Sequence, residues 1–162
     1  MNPRLTLALV AGKLTAVLTR ALKRGGRTAA PGLVAEQVDP KILAHLTNHL
    51  RLGSIIISGT NGKTTTSRLL SHILKSAGLR AIHNRSGSNL TRGLASTLLE
   101  KSNLAGKISG DIGLFEVDEA ALTQAAPQLK PRILFLNNLF RDQLYRYFEL
   151  DQVILRWRQV LD

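Results

Sequence analysis

Residues 54–66 read Ser54-Ile55-Ile56-Ile57-Ser58-Gly59-Thr60-Asn61-Gly62-Lys63-Thr64-Thr65-Thr66. An apolar, β-branched run breaks into a glycine turn and then into a lysine followed by hydroxyl residues, the order of a buried strand, a phosphate cradle and a helix start. Glycines let backbone N–H groups approach an anion, Lys63 neutralises its charge, and the Thr64 hydroxyl can reach a magnesium ion beside it. The loop is short. A general Walker A sequence has four residues between its glycines, which would need a glycine at Ile57; only Thr60 and Asn61 separate Gly59 from Gly62.

The pattern on either side of this loop predicts an α/β fold. A helix is expected over 64–77, stopped at Gly78, then a short strand over 79–83, the polar turn 84–89 and a helix over 90–100. Residues 112–117 read as a buried strand ending in Asp118 and Glu119, a short helix precedes Pro127, 132–137 reads as another buried strand, and 151–161 as a helix. Strands alternating with helices imply a P-loop-type parallel sheet covered on both faces, with ligands at the carboxyl ends of the strands. The loop, Glu116 and Asn138 all fall at such ends. Before the sheet, Leu7, Val10, Leu14, Val17 and Ala21 recur at spacings of three and four and mark one face of an amphipathic helix. Gly25, Gly26, Pro31 and Gly32 read as a connector, and 40–50 as a second short helix. The expected organisation is a helical N-terminal segment, 1–52, and a nucleotide-binding domain, 53–162, whose last helix runs to Asp162 as though the sequence stopped before its domain does.

A chain of 162 residues, 44% of them apolar, suits one unit with a core. Cysteine is absent, which excludes disulfides and thiolate metal sites and agrees with a cytoplasmic setting. The charge of +11 first suggests nucleic acid or an anionic membrane surface. Aromatics make up only 4% and do not interleave with the basic residues, so a nucleic-acid platform is not expected. Nucleotide phosphates, or a substrate carried on a membrane, account for the basic surface as well. The apolar stretch 5–12 is too short to span a bilayer and is interrupted by Lys13, so an integral membrane protein is not expected. Packing of this first helix on the domain or a partner is the leading reading, ahead of contact with an anionic membrane face.

Magnesium bound with a nucleotide needs a second protein contact beside Thr64. Glu116 is the first candidate, and Asp118 and Glu119 are weaker ones; strand alternation puts Glu116 and Asp118 on one side. His45 and His49 stand at helical spacing without an accompanying carboxylate, so packing or exposure is expected of them rather than a metal. His72 reads as a surface residue, and His83, which ends a strand beside the polar turn, reads as structural, with substrate contact as the second reading. Arg85 and Arg92 read as solvated, with nucleotide contact as the second reading. Trp157 reads as a packing anchor.

The run Ser58-Gly59-Thr60-Asn61-Gly62-Lys63-Thr64-Thr65 resembles the ATP-binding loop of the Mur ligases and their folylpolyglutamate synthetase relatives. Residues 84–90, 115–119 and 138–144, with Leu33 and Asp39, narrow the likeness to MurT-type subunits of lipid II isoglutaminyl synthases, over essentially the whole chain but only the front part of such a protein. This resemblance implies a Mur ligase central domain, incomplete here, using ATP and Mg2+ to activate the D-glutamate α-carboxylate of lipid II as an acyl phosphate. Ammonia from a GatD-type glutaminase partner would then give D-isoglutamine, in the cytoplasm at the inner membrane face. It further implies that Gly59, Thr60, Asn61, Gly62, Lys63, Thr64, Thr65 and Asn138 hold the nucleotide. Thr64 and Glu116 would hold magnesium, with Lys63 and Glu116 as the catalytic pair. Gln143 takes the position of a metal-binding histidine in many Mur ligases, which suits the MurT type. Tyr145 and Phe148 depart from an aspartate and a glycine of the family pattern. A zinc-binding insertion and a C-terminal domain would lie beyond Asp162, so this chain alone is not expected to complete the reaction. Another Mur-type or folylpolyglutamate synthetase-like ligase, and a non-catalytic nucleotide-binding fragment, are the alternatives.

Overall fold

The computed structural model describes residues 2–22, 29–84, 89–139, 154–155 and 157–158. Three helices, α1 (Pro3–Ala21), α2 (Ala30–Val38) and α3 (Ile42–Thr47), precede the first strand, β1 (Ser54–Ser58). Then follow α4 (Lys63–Ser76), β2 (Ala81–His83), α5 (Thr91–Lys101), β3 (Ile112–Glu116), α6 (Leu122–Leu129) and β4 (Pro131–Leu136). The strands form one parallel sheet in the order β2-β3-β1-β4. The α/β expectation and its helix-covered parallel sheet therefore hold.

Alternation along the strands sorts the side chains into two layers. Ile55, Ile57, Ile112 and Leu114 point to one face and pack with Leu70 and Leu74 of α4. Ile56, Ile82 and Phe115 point to the other, where one buried cluster takes in residues of α1, α2, α3, α5 and α6 together with Trp157. Ser54 register-pairs with Gly113 and Ile57 with Glu116, so β1 and β3 end side by side. The connection leaving β1 crosses over α4 to β2, whereas that leaving β3 crosses by α6 to β4 on the opposite side. Such a divergence opens a crevice at the carboxyl ends of the two strands.

Four local expectations change. In α1, the buried residues are Leu5, Ala8, Leu9 and Gly12, while Leu7, Leu14 and Val17 of the expected packing face are exposed. Pro31 and Gly32 do not punctuate a connector but open α2, where a proline in the first turn loses no intrahelical bond. Gly32 is there for contact: an added Cβ would lie 1.9 Å from the Arg92 carbonyl oxygen of α5. Pro127 sits inside α6 instead of ending a helix before it, tolerated because the helix stops at Leu129. β4 is not a buried strand. It lies at an edge of the described sheet, with Arg132, Ile133 and Phe135 exposed, and starts at Pro131, whose missing N–H is harmless in the first residue of an edge strand.

Of the helix expected over 151–161, Ile154, Leu155, Trp157 and Arg158 are described; they are helical, and Trp157 is buried as an anchor. No helix among the described residues is long and apolar enough to cross a membrane.

Candidate nucleotide-binding site

The loop after β1 bends through two glycines with positive φ, Gly59 (+131°) and Gly62 (+84°). At Gly59 the reason is also spatial, since a Cβ there would stand 2.9 Å from the Asn138 carbonyl oxygen. The backbone thereby runs against the loop following β4. Thr60 N–H donates to the Asn138 carbonyl (2.7 Å), and Asn61 N–H to the Asn138 side-chain oxygen (3.1 Å). Asn137 braces the other side, donating to the Asn61 carbonyl and the Thr66 hydroxyl, both at 3.3 Å. Gly62 caps α4 without a side-chain bond, leaving the first-turn amides directed at the mouth of the loop with the positive end of the helix dipole behind them.

Thr64, in the first turn of α4, donates its hydroxyl to Glu116 Oε2 (2.9 Å). One helical turn on, Ser67 donates to Glu116 Oε1 (2.6 Å). His83 Nε2 faces the same oxygen at 3.2 Å, and because an ionised carboxylate can only accept, this contact calls for the Nε2–H form of the ring. Asn84 closes the arrangement by exchanging two 2.8 Å bonds with the Glu116 backbone. Parity explains the convergence: His83 on β2 and Glu116 on β3 share the sheet face that α4 covers. Glu116 is thus a buried carboxylate held by three side-chain groups and its own main chain.

Lys63 folds back over the loop. Its Nζ donates to the Gly59 carbonyl and to the Thr60 carbonyl (3.3 Å), and forms an ion pair with Glu119 Oε2 at 3.3 Å. Burial pushes the Glu119 carboxyl up, but its own backbone N–H, the Lys63 ammonium and the Thr60 hydroxyl outweigh burial and hold it below its ordinary value. Trp157 Nε1–H donates to the Glu119 carbonyl at 3.0 Å. Asp118 turns away into a local bond, accepting from Ala120 N–H (3.0 Å), and so works as a turn residue before α6.

The crevice therefore gathers Gly59, Thr60, Asn61, Gly62, Lys63, Thr64, Glu116 and Asn138, with Thr65 exposed in the same helical turn as Lys63 and Thr64. The donors suit a magnesium nucleotide. A hydroxyl and a carboxylate oxygen 2.9 Å apart are hard ligands, and Mg2+ commonly takes one or two protein oxygens and completes its shell with phosphate and water. Among the described residues no group of three or more histidines and carboxylates forms a self-sufficient metal site. Gln143, with Arg85, Tyr145 and Phe148, lies outside the described residues.

Sequence reading missed five participants: Ser67, Asn84, Asn137, the pairing of Glu119 with Lys63, and the bond from Trp157. Ser67 had a usable signal, standing three residues after Thr64 on the same helical face. His45 is also corrected. Its Nδ1 lies 2.8 Å from the buried Asp39 carboxylate, whose other oxygen accepts from Lys41 N–H, so a carboxylate does accompany it, at the entry to α3. His72 is exposed, and so is Arg92, whose charge acts on Glu36 of α2.

The Mur ligase middle domain matches residues 57–156. The chain is 35% identical over 147 residues to the lipid II isoglutaminyl synthase (glutamine-hydrolyzing) subunit MurT of Staphylococcus aureus, which covers 91% of this chain and 32% of that relative. It is 37% identical over 151 residues to the subunit of the same name from Streptococcus pneumoniae, covering 93% and 32%. A UDP-N-acetylmuramoylalanine–D-glutamate ligase of Prochlorococcus marinus is 38% identical over 97 residues, 60% of this chain and 20% of that enzyme. The chain thus spans about a third of the length of the MurT relatives it matches. With the family model matching well over half of its residues, and the loop, the carboxylate and the strand order arranged around one crevice, this chain belongs to the Mur ligase family.

Proposed function

We propose that this chain supplies the ATP-binding part of an ATP-dependent carbon–nitrogen ligase subunit that amidates lipid II. The activity would convert the D-glutamate α-carboxylate to D-isoglutamine with ammonia from a glutaminase partner. The work would be done in the cytoplasm, at the inner membrane face. Residues 1–52 form the helical preface and 53–162 the nucleotide-binding part. The observation that carries this reading is the contact of Thr64 with Glu116 at the mouth of the glycine loop, beside Lys63. The MurT names of relatives matching over nine-tenths of the chain support this choice of substrate and reaction.

A carboxylate is a poor electrophile, and ATP, when bound, supplies the phosphoryl group that turns it into an acyl phosphate with a good leaving group. The chain's residues act on charge and position. Gly59 and Gly62 let the main chain approach the phosphates, and the first turn of α4 offers N–H groups to them. Lys63 has a second anion to serve in place of Glu119 and stabilises negative charge on the transferred phosphoryl. Thr64 and Glu116 would hold Mg2+, with Ser67, His83 and Asn84 fixing the carboxylate's direction. Asn138 holds the Thr60–Asn61 backbone in shape. Gln143 is proposed as a further metal contact.

Isothermal titration of the chain and its Lys63→Ala form with ATP, with and without Mg2+, tests the site. Binding should require Mg2+ and weaken at least about tenfold in the variant, the loss expected when a charge-assisted contact to phosphate is removed. Equal affinities would remove the phosphate-loop assignment. For the reaction, the complete subunit with a glutaminase, glutamine and lipid II should yield the amidated product. Equal product without the glutaminase at low free ammonia would overturn the division of labour.

A further inference from the structure

Helix α1 is apolar on two opposite sides. Leu5, Ala8, Leu9 and Gly12 are buried against the core. On the far side Leu7, Leu14, Val17 and Leu18, with Leu22 at the C-cap just past the helix, are 58 to 64% exposed. At about 100° per residue, Leu7, Leu14 and Leu18 fall within about 40° of one another, with Val17 and Leu22 on either flank. The stripe from Leu7 to Leu22 is about 22 Å long at the helical rise. Contiguous apolar surface of this kind marks a docking site rather than ordinary surface scatter.

Charge selects the occupant. No acidic residue precedes Glu36, while Arg4, Lys13, Arg20, Lys23, Arg24 and Arg27 are all basic. Lys13 is turned inward, its ammonium donating to the Leu99 and Ser102 carbonyls. Arg4 and Arg20 stay on the surface, Arg20 pairing with Glu100 through one nitrogen while its side chain remains 68% exposed. An aliphatic stripe in a segment that has no anion before Glu36 and carries cations beyond the inward Lys13 and the Glu100-paired Arg20 fits an interface of acyl chains below and anionic headgroups beside it. A protein partner would have to supply both an apolar groove and carboxylates beside it.

We infer that the outer face of α1 docks this chain on an anionic bilayer, the helix axis lying in the membrane plane with Leu7, Leu14, Val17, Leu18 and Leu22 at the acyl boundary. The inference deepens the functional reading and rests on it only for the lipid-bearing membrane as the place of work.

Vesicle co-sedimentation tests it on the whole chain. Binding to mixed phosphatidylcholine–phosphatidylglycerol vesicles should exceed binding to pure phosphatidylcholine several-fold and should weaken with added salt. The double variant Leu14→Glu/Leu18→Glu should bind at least about tenfold less, with unchanged circular dichroism and Mg2+–ATP affinity. The inference is overturned by absence of binding to the mixed vesicles, by equal binding to both vesicle types, or by equal binding of the double variant. Self-association without vesicle binding, lost in the variant, overturns it too and gives the face to a second copy. Failure here with intact, Lys63-dependent ATP binding leaves the nucleotide reading standing; loss of the latter with intact vesicle binding does the reverse.

Discussion

Lys63 and Glu119 show how a single pair sets the character of the loop. The ammonium sits among two carbonyls and a carboxylate, so its charge is already compensated and a phosphate must compete with Glu119 for it. Glu119 is held below its ordinary value of 4.5 although burial acts the other way. A depressed carboxyl contributes stability that is present above the unfolded-state value and is lost as pH falls through the folded one. Replacing Lys63 with Met removes both the cation and the hydrogen bond that Glu119 accepts from it. The Glu119 pKa, followed by carboxyl 13C shifts, should then rise relative to the parent, and an unchanged value would show that Lys63 does not hold it down. None of this pairing was readable from residue order. Lys63, Thr64 and Glu116 stood out because residue type and strand-end position both marked them. Glu119 reaches Lys63 only through the turn that Asp118 builds, and His83 reaches Glu116 only through strand register.

The helices and strands were legible wherever period and punctuation agreed. The strand–loop–helix over 54–76 and the strand at 112–116 match expectation within a residue or two, because their β-branched runs and glycine stops point the same way. Reading failed at α2, where Pro31-Gly32 carries the signal of a break but performs two other tasks, a proline in the first turn and a close contact with α5. It failed again at α1, which is apolar on both sides, so that periodicity alone could not say which side meets the core. Two glycines separate these causes experimentally. Gly32→Ala places a methyl 1.9 Å from the Arg92 carbonyl, and since backbone must move, a loss of about 3 kcal/mol is expected in urea unfolding, at the upper end for overpacking. Gly78→Ala meets nothing within 4 Å but keeps φ at +76°, so its cost is the left-handed strain alone, about 1 kcal/mol. Equal costs at the two positions would mean that α2 is free to shift away from α5.

Across the whole molecule, one line of contacts ties the phosphate loop to the far end of the chain: Lys63 to Glu119 by charge, Glu119 to Trp157 through its carbonyl, and Trp157 into the main core cluster. Trp157 is the chain's single tryptophan, so its emission reports on this line without labelling. When phosphate takes Lys63 from Glu119, the acidic side chain loses a partner in a turn whose backbone holds the indole N–H, and the polarity around the indole changes. Mg2+–ATP should therefore alter the intensity or maximum of tryptophan emission with a midpoint equal to the calorimetric dissociation constant. Glu119→Gln weakens the tie to Lys63 while keeping the carbonyl that Trp157 uses, so its nucleotide-dependent change should shrink although binding persists. Because the competing carboxylate charge is gone, its affinity for ATP should rise by a factor of up to about five, the range expected of a partly exposed ion pair. An emission that does not move in the parent while calorimetry records saturation would mean that Lys63 keeps Glu119 when it meets phosphate. A Glu119→Gln affinity below that of the parent would give the carboxylate a direct part in holding the nucleotide or its metal, in place of competition for the lysine.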